Sequence, residues 1–159
     1  MRITKTRKGI TMSDEQISTT TVTVSSRMSL EEFNKKIDEE FDERGIYLVY
    51  SYNVQNGKYR LQYIGKSIDL PERVTSKHEH YKDWVKAVGD DTKNMYFSIV
   101  TLEKNANLLI CEAAMIYTLQ PPINTECKKS FEHEDHKIVF NGRNVCNQSF
   151  VVARDSRKK

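Results

Sequence analysis

Apolar residues recur along this chain with two different periods. At Leu30, Phe33, Ile37 and Phe41 they stand three or four apart among charged residues, the spacing of an amphipathic helix, and Ser29-Leu30-Glu31-Glu32 has the form of a capping box that opens it. From Ile46 to Tyr52 and from Tyr59 to Ile64 the apolar and aromatic residues favour strands, and Asn56-Gly57 between them is a strong hairpin signal. Asp69 is placed to cap a helix beginning at Leu70-Pro71, where the missing N–H of proline costs nothing. A short helix is predicted over His80–Val88, stopped by Gly89. In Asn94–Leu102, Tyr96, Ser98 and Val100 alternate with Phe97, Ile99 and Thr101, which predicts a strand. Asn105 is then the expected cap of a helix over Ala106–Leu119, ended by Pro121-Pro122.

The pattern divides the chain. Residues 1–27 mix Ser, Thr and charge with few large apolar groups and read as a disordered N-terminal arm, with at most an edge strand over Thr19–Val24. Residues 28–44 form the amphipathic helix and 45–126 the core. Residues 127–153 form a C-terminal hairpin extension, with Ile138–Phe140, an Asn141-Gly142 turn and Val145–Val152. Residues 154–159 are a basic tail.

Composition adds little until charge is placed along the chain. At 159 residues there is room for one core with tails. The net charge of +3 announces no partner, but Arg2, Lys5, Arg7 and Lys8 at one end and Arg154, Arg157, Lys158 and Lys159 at the other leave the middle acidic. Such ends are expected to be mobile tails able to add nonspecific phosphate contacts. No apolar run matches a membrane span or a secretory signal, so the chain reads as soluble and intracellular, cytoplasmic or nuclear. Three cysteines, Cys111, Cys127 and Cys146, without CxxC spacing, fit a reducing compartment.

One residue carries chemistry on physical grounds alone. Glu112 is the only charged residue from Ala106 to Leu119, and its helical neighbours Leu108, Leu109, Met115 and Ile116 are all apolar. An isolated carboxylate in that setting must pair with a cation, take up a proton, or hold a metal. A structural pair with Arg or Lys is the plain reading; a hard cation such as Mg²⁺, which keeps most of its waters, is the sharper one.

Gly45-Ile46-Tyr47, Tyr63-Ile64-Gly65 with Lys66 directly after, Arg73 ten residues past Tyr63, Glu112 in a later helix and Asn124 twelve beyond it together resemble the GIY-YIG nucleases. The resemblance covers about half the chain and implies an α+β fold: a small three-stranded antiparallel sheet flanked by helices, here with a C-terminal hairpin and flexible basic termini. It also implies hydrolysis of DNA phosphodiesters with one Mg²⁺ or Mn²⁺ held by Glu112, and Arg73 and Lys66 stabilising the phosphate. Tyr47 or Tyr63 is the implied general base, with Tyr47 preferred; Tyr63 otherwise bonds phosphate or water, and Asn124 orients the ligand shell or closes the site. A phenol ionises near pH 10, so Tyr47 needs a nearby cation, for which Lys66 is the candidate. Many family members place His or Tyr where this chain has Lys77; His78, His80 and Tyr81 are the candidates to replace it. One such site cuts one strand, so double-strand cleavage implies a homo-oligomer or sequential nicking. A noncatalytic nucleic-acid-binding or assembly module on the same fold is the alternative, disfavoured because binding needs no carboxylate on an apolar helix.

Strand alternation supplies a geometric test. A strict two-residue Asn56-Gly57 turn sets Tyr47 opposite Lys66 and sends Tyr63 to the other face, whereas a three-residue loop with Gly57 left-handed and a bulge pairs Val49 with Tyr63 and puts both tyrosines on one face. The bulged form is expected. In the tail, Cys127, His133, His136 and Cys146 have metal-ligand chemistry, but their spacing matches no standard zinc finger and a plain hairpin is favoured.

Overall fold

The structure, a computed structural model, describes residues 5–6, 9–10, 17–142 and 150–158. Its elements are β1 (Lys5–Thr6), β2 (Gly9–Ile10), β3 (Ser18–Val24), β4 (Met28–Ser29), α1 (Leu30–Lys36), β5 (Gly45–Asn53), β6 (Lys58–Ser67), α2 (Leu70–Arg73), α3 (Tyr81–Ala87), β7 (Met95–Leu102), α4 (Leu108–Leu119), β8 (His136–Gly142) and β9 (Phe150–Ala153). Among the described residues, β1 and β2 pair only with each other.

The expected three-stranded sheet is corrected to a seven-stranded mixed sheet, curled like half a barrel. Its order is β6-β5-β7-β3-β8-β9, and β4 pairs β7 beside β3. The antiparallel trio β6-β5-β7 is only one side of it. β3, expected from sequence as the end of a disordered arm or at most an edge strand, is an interior strand, antiparallel to β7 and parallel to β8 over its full length. Its polar look misled: Thr20, Val22 and Val24 are buried while Thr19, Thr21 and Thr23 face out, and threonine is a β-branched strand former whose alternation satisfies both faces. The terminal hairpin is likewise part of this sheet through the β3–β8 ladder, not an extension beside it. Asn141-Gly142, expected as its turn, instead continue β8 opposite Thr23 and Val24; Val145 and Cys146 lie outside the described residues.

The basic C-terminus is also not free. Arg154 meets Asp135 at 3.2 Å, Arg157 meets Glu132 at 3.0 Å and Lys158 meets Glu134 at 3.2 Å. Sequence-distant acids neutralise it.

Two apolar layers flank the sheet. On one face α4 packs Cys111, Ala114 and Met115 against Ile46, Leu48, Ile64 and Val100; on the other α1–α3 bring Phe33, Leu70 and Trp84 onto Tyr47, Val49, Tyr63 and Phe97. The first helix is shorter than its periodicity suggests. Ser29 caps α1 through the Glu32 N–H at 3.2 Å, but the helix stops at Lys36. The Asp38–Glu43 acidic run would place negative charge at a helix C-terminus, where the backbone dipole is already negative. The cap of α4 is Asn107, which accepts from the Ile110 N–H, rather than Asn105 two residues earlier. No helix among the described residues is long and apolar enough to cross a membrane.

Candidate active site

The β5–β6 hairpin decides which side chains meet. Asn53 pairs with Lys58 across a four-residue loop containing Gly57 at φ 69°, and Gln62 is an extra residue between the Tyr50–Leu61 and Val49–Tyr63 pairs. The bulge therefore sits in mid-strand and the loop has four residues, not three. Its consequence is the expected one: Val49 faces Tyr63 and Tyr47 faces Gly65, so both tyrosines lie on the α1–α3 face. Their ring centroids are 6.1 Å apart.

The two glycines are required by contact. A Cβ on Gly65 would stand 2.2 Å from the Tyr47 ring and hydroxyl, so only a bare backbone lets that ring lie across β6. A Cβ on Gly45 would press the Val100 carbonyl at 3.0 Å and Leu70 at 3.2 Å. Leu70 opens α2, held by the Asp69 side chain accepting from the Glu72 N–H. That short turn sets Arg73 beside the tyrosines.

Tyr47 is 1% exposed and Tyr63 7%. Burial pushes both phenols above their ordinary value; the neighbouring Tyr63 adds to the effect on Tyr47, while the Arg73 guanidinium works against it. Both rings are therefore neutral at rest. His78, one residue beyond exposed Lys77, is the member of the His78, His80 and Tyr81 trio that reaches Tyr47. Its Nδ1 accepts from the His80 N–H at 2.9 Å, which leaves the neutral ring's proton on Nε2, 2.7 Å from the Tyr47 hydroxyl oxygen. His78 thus donates to Tyr47. Burial, aided by Arg73, lowers its pKa to about 4.

That depression has a measurable sign. The unfolded chain binds a proton at His78 below about pH 6.5 and the folded chain does not until about pH 4, so stability is lost as pH falls through this window. His78→Gln, which keeps a donor toward Tyr47, is expected to remove roughly 2–3 kcal/mol of that acid-side loss, read from urea midpoints between pH 7 and pH 4. Buried His136, whose pKa is also lowered, leaves a residual slope of the same sign. An unchanged pH profile would contradict the assignment.

Glu112 lies on the other face. Its side chain is 14% exposed and its Oε1 is 3.7 Å from the Lys66 ammonium. Alternation puts Ile64 and Lys66 on the α4 side and Tyr63 and Gly65 on the other. β6 is an edge strand, however, and the Glu112 charge still acts on Tyr63, helping to raise that phenol. Lys66 is thus the partner of Glu112, not of Tyr47, and Arg73 is the cation acting on Tyr47. No family model, no curated protein and no solved structure matches this chain.

Burial raises the Glu112 pKa, Lys66 offsets only part of this, and the nearby Glu126 charge raises it further. A carboxylate so placed fits a divalent cation that takes one protein ligand and fills its shell with water and phosphate. Among the described residues no group of three or more His, Cys, Asp or Glu side chains could hold a metal. The zinc reading of the tail finds no support among them: the His136 ring is engaged with Thr20 at 2.9 Å and Cys111 at 3.8 Å, His133 packs on Phe131, and Cys146 lies outside the described residues.

Both polar atoms of the Asn124 side chain are engaged by the backbone of Ile64. Its Oδ1 accepts from the Ile64 N–H at 2.9 Å and its Nδ2 donates to the Ile64 carbonyl at 2.8 Å, so it pins the segment after α4 to the centre of the Tyr63-Ile64-Gly65 triplet. Asn124→Ala would strand two buried backbone groups and is expected to cost about 2–3 kcal/mol of stability, measured by urea unfolding. A loss below about 0.5 kcal/mol would leave that clamp without weight.

Sequence reasoning missed Glu79. It binds Arg73 at 2.6 Å, and this pairing, more than any other influence, raises the Arg73 pKa. Nothing in the spacing marks it, since the contact depends on how the 74–80 loop turns back. A cleft of about 270 Å³ beside Arg73 is lined by Ser67, Asp69, Glu72, Thr75, Lys77 and His78.

Proposed function

We propose that this chain is a divalent-cation-dependent DNA endonuclease of the GIY-YIG type. The observation that carries the reading is the rim of β6: a mid-strand bulge puts Tyr47 and Tyr63 on one face with His78 and Arg73, and the half-buried Glu112 sits within electrostatic reach of Tyr63. Neither tyrosine pairing nor sheet stability needs an acid there.

In this reading water attacks phosphorus and one P–O ester bond breaks, leaving a phosphomonoester and a hydroxyl. Glu112 is the residue that holds Mg²⁺ or Mn²⁺, and a bound divalent cation supplies Lewis acidity toward the phosphoryl oxygen and toward water. Tyr47 is the base in its ionised form. Burial keeps the phenol neutral at rest, so it gives up its own proton to solvent only when positive charge arrives. The phenolate then takes the proton of the attacking water and ends as the neutral phenol. The His78 Nε2–H and the Arg73 guanidinium stabilise the phenolate. Arg73 also neutralises charge on the phosphate, for which it exchanges its Glu79 carboxylate for a phosphate oxygen. Lys66, 37% exposed, moves from Glu112 to the phosphate. Tyr63 bonds phosphate or water at the rim, and Asn124 holds the strand that carries it.

A supercoiled plasmid incubated with the full chain and Mg²⁺ or Mn²⁺ is expected to yield nicked circles, with linear product following only if two copies act together or two nicks coincide. Absence of cutting with either metal on plasmid, single-stranded DNA and RNA would overturn the enzymatic reading. DNA binding that persists without cutting would then favour a noncatalytic module.

A further inference from the structure

The outer end of the hairpin carries a feature that the catalytic reading does not use. Three adjacent strands each present tyrosine on the α4 face: Tyr59 from β6, Tyr50 and Tyr52 from β5, and Tyr96 from β7. Ring centroids are 4.8 Å apart for Tyr52–Tyr59, 5.1 Å for Tyr59–Tyr96 and 5.9 Å for Tyr52–Tyr96. Tyr50 belongs to the core under α4, but Tyr52 and Tyr59 lie beyond it, and Tyr59 is 37% exposed. Over this cluster lies Arg27, its guanidinium 4.0 Å from the Tyr59 ring centroid and 5.2 Å from that of Tyr50. The Arg27 Nε is buried without a hydrogen-bond partner, and among the described residues no carboxylate stands within ion-pair distance of it.

Cross-strand tyrosine pairs stabilise a projecting hairpin by themselves. They do not need a cation that, among the described residues, has no anion beside it. Glu32, the acid whose charge reaches Tyr96, is paired with Lys36 at 3.3 Å. An aromatic surface joined to an unpaired guanidinium matches the two halves of an unstacked nucleotide, since a base stacks on a tyrosine ring or a guanidinium plane and a phosphate takes the positive charge. Bases inside a duplex expose no such face.

We propose that the Arg27–Tyr52–Tyr59–Tyr96 platform is a binding site for single-stranded nucleic acid, stacking an unpaired base and holding its phosphate at Arg27. The choice of nucleic acid as occupant rests on the proposed reading of the core; the platform itself does not. A substrate with an unpaired segment next to the cleavage point would then engage the rim of β6 and the hairpin end together.

The test is fluorescence anisotropy of labelled oligothymidylate and of a duplex of equal length, with the full chain in EDTA so that nothing is cut. Tyr59→Ala is expected to weaken single-strand binding roughly tenfold, with Tyr52→Ala acting in the same direction, while duplex binding changes less than about twofold. Tyr59→Phe retains binding. Tyr59→Leu keeps apolar cover on the sheet but removes the π face, and loses it, which separates stacking from folding. Arg27→Gln lowers the salt slope by about one. Unchanged affinity in a Tyr59→Ala protein of normal melting behaviour would overturn the proposal, as would equal losses for single strand and duplex. No oligonucleotide binding by the unaltered chain would do the same and leave the platform to a protein segment. A chain that cuts nothing yet shows these losses would sink the nuclease reading and keep this one; cutting with no effect of Tyr59 would do the reverse.

Discussion

Glu112→Ala is expected to reduce divalent-cation-dependent cleavage by on the order of 10³-fold or more, with no loss of thermal stability beyond that of a small cavity. The two readouts diverge because of how the residue is placed. Burial raises the Glu112 pKa above its ordinary value, so the folded chain binds that proton more tightly than the unfolded one. The stabilisation this gives is fully present below the unfolded pKa and is lost as pH rises through the folded one. At neutral pH the charged form is therefore a cost to the fold, relieved in part by Lys66. Glu112→Gln, close in shape, is expected to melt at or above the unaltered chain at pH 7 while being as inactive as the alanine variant. Cleavage by the unaltered chain should also fall on the acid side at a higher pH than an ordinary carboxylate would impose, because the ionised form is needed to hold the cation. Undiminished nicking by Glu112→Gln would remove the metal assignment.

Tyr47→Phe has the second largest expected effect: roughly 10²- to 10⁴-fold in cleavage rate, the usual range for a positioned proton carrier. Here stability falls as well. The variant leaves the His78 Nε2–H, now 2.7 Å from the phenol oxygen, without an acceptor in a buried site, at about 1–3 kcal/mol. Glu112 and Tyr47 are thus separable by calorimetry even where both abolish cutting. The pH profile adds a further distinction. With the Tyr47 phenol held above its ordinary value, cleavage by the unaltered chain should keep rising with pH above neutrality, and the phenylalanine variant should lose that rise. A variant that cuts at the original rate, with the original pH dependence, would transfer the proton-carrying role to Tyr63.

Local chemistry made much of this site legible in the sequence. Capping residues Ser29 and Asp69, the Asn56-Gly57 turn and the alternation of Asn94–Leu102 are statements about neighbours in the chain, and those elements are present. Glu112 could be singled out because its surroundings on a helix are set by residues three and four positions away. What depended on distant segments was read wrongly or not at all. β3 looked like a polar arm because its partners, β7 and β8, lie about eighty and more than a hundred residues further on. The basic C-terminus looked mobile because the acids that neutralise it, Glu132 to Asp135, come from a segment some twenty residues earlier. Lys66 was matched to Tyr47, yet strand alternation around the Gln62 bulge sends it across the sheet to Glu112.

By itself, then, the sequence determined the hairpin, the apolar helix with its single carboxylate and the residue types available for phosphate chemistry, since each follows from side chains within a turn or two of one another. Only the tertiary structure decided that the sheet has seven strands, that Asn124 serves the backbone of Ile64, that His78 rather than its neighbours meets Tyr47, and that Glu79 holds Arg73. The physical reason is common to all four. Strand pairing between segments far apart in sequence, and loops that fold back on themselves, place groups within hydrogen-bond distance according to register and curvature, which no spacing along the chain encodes.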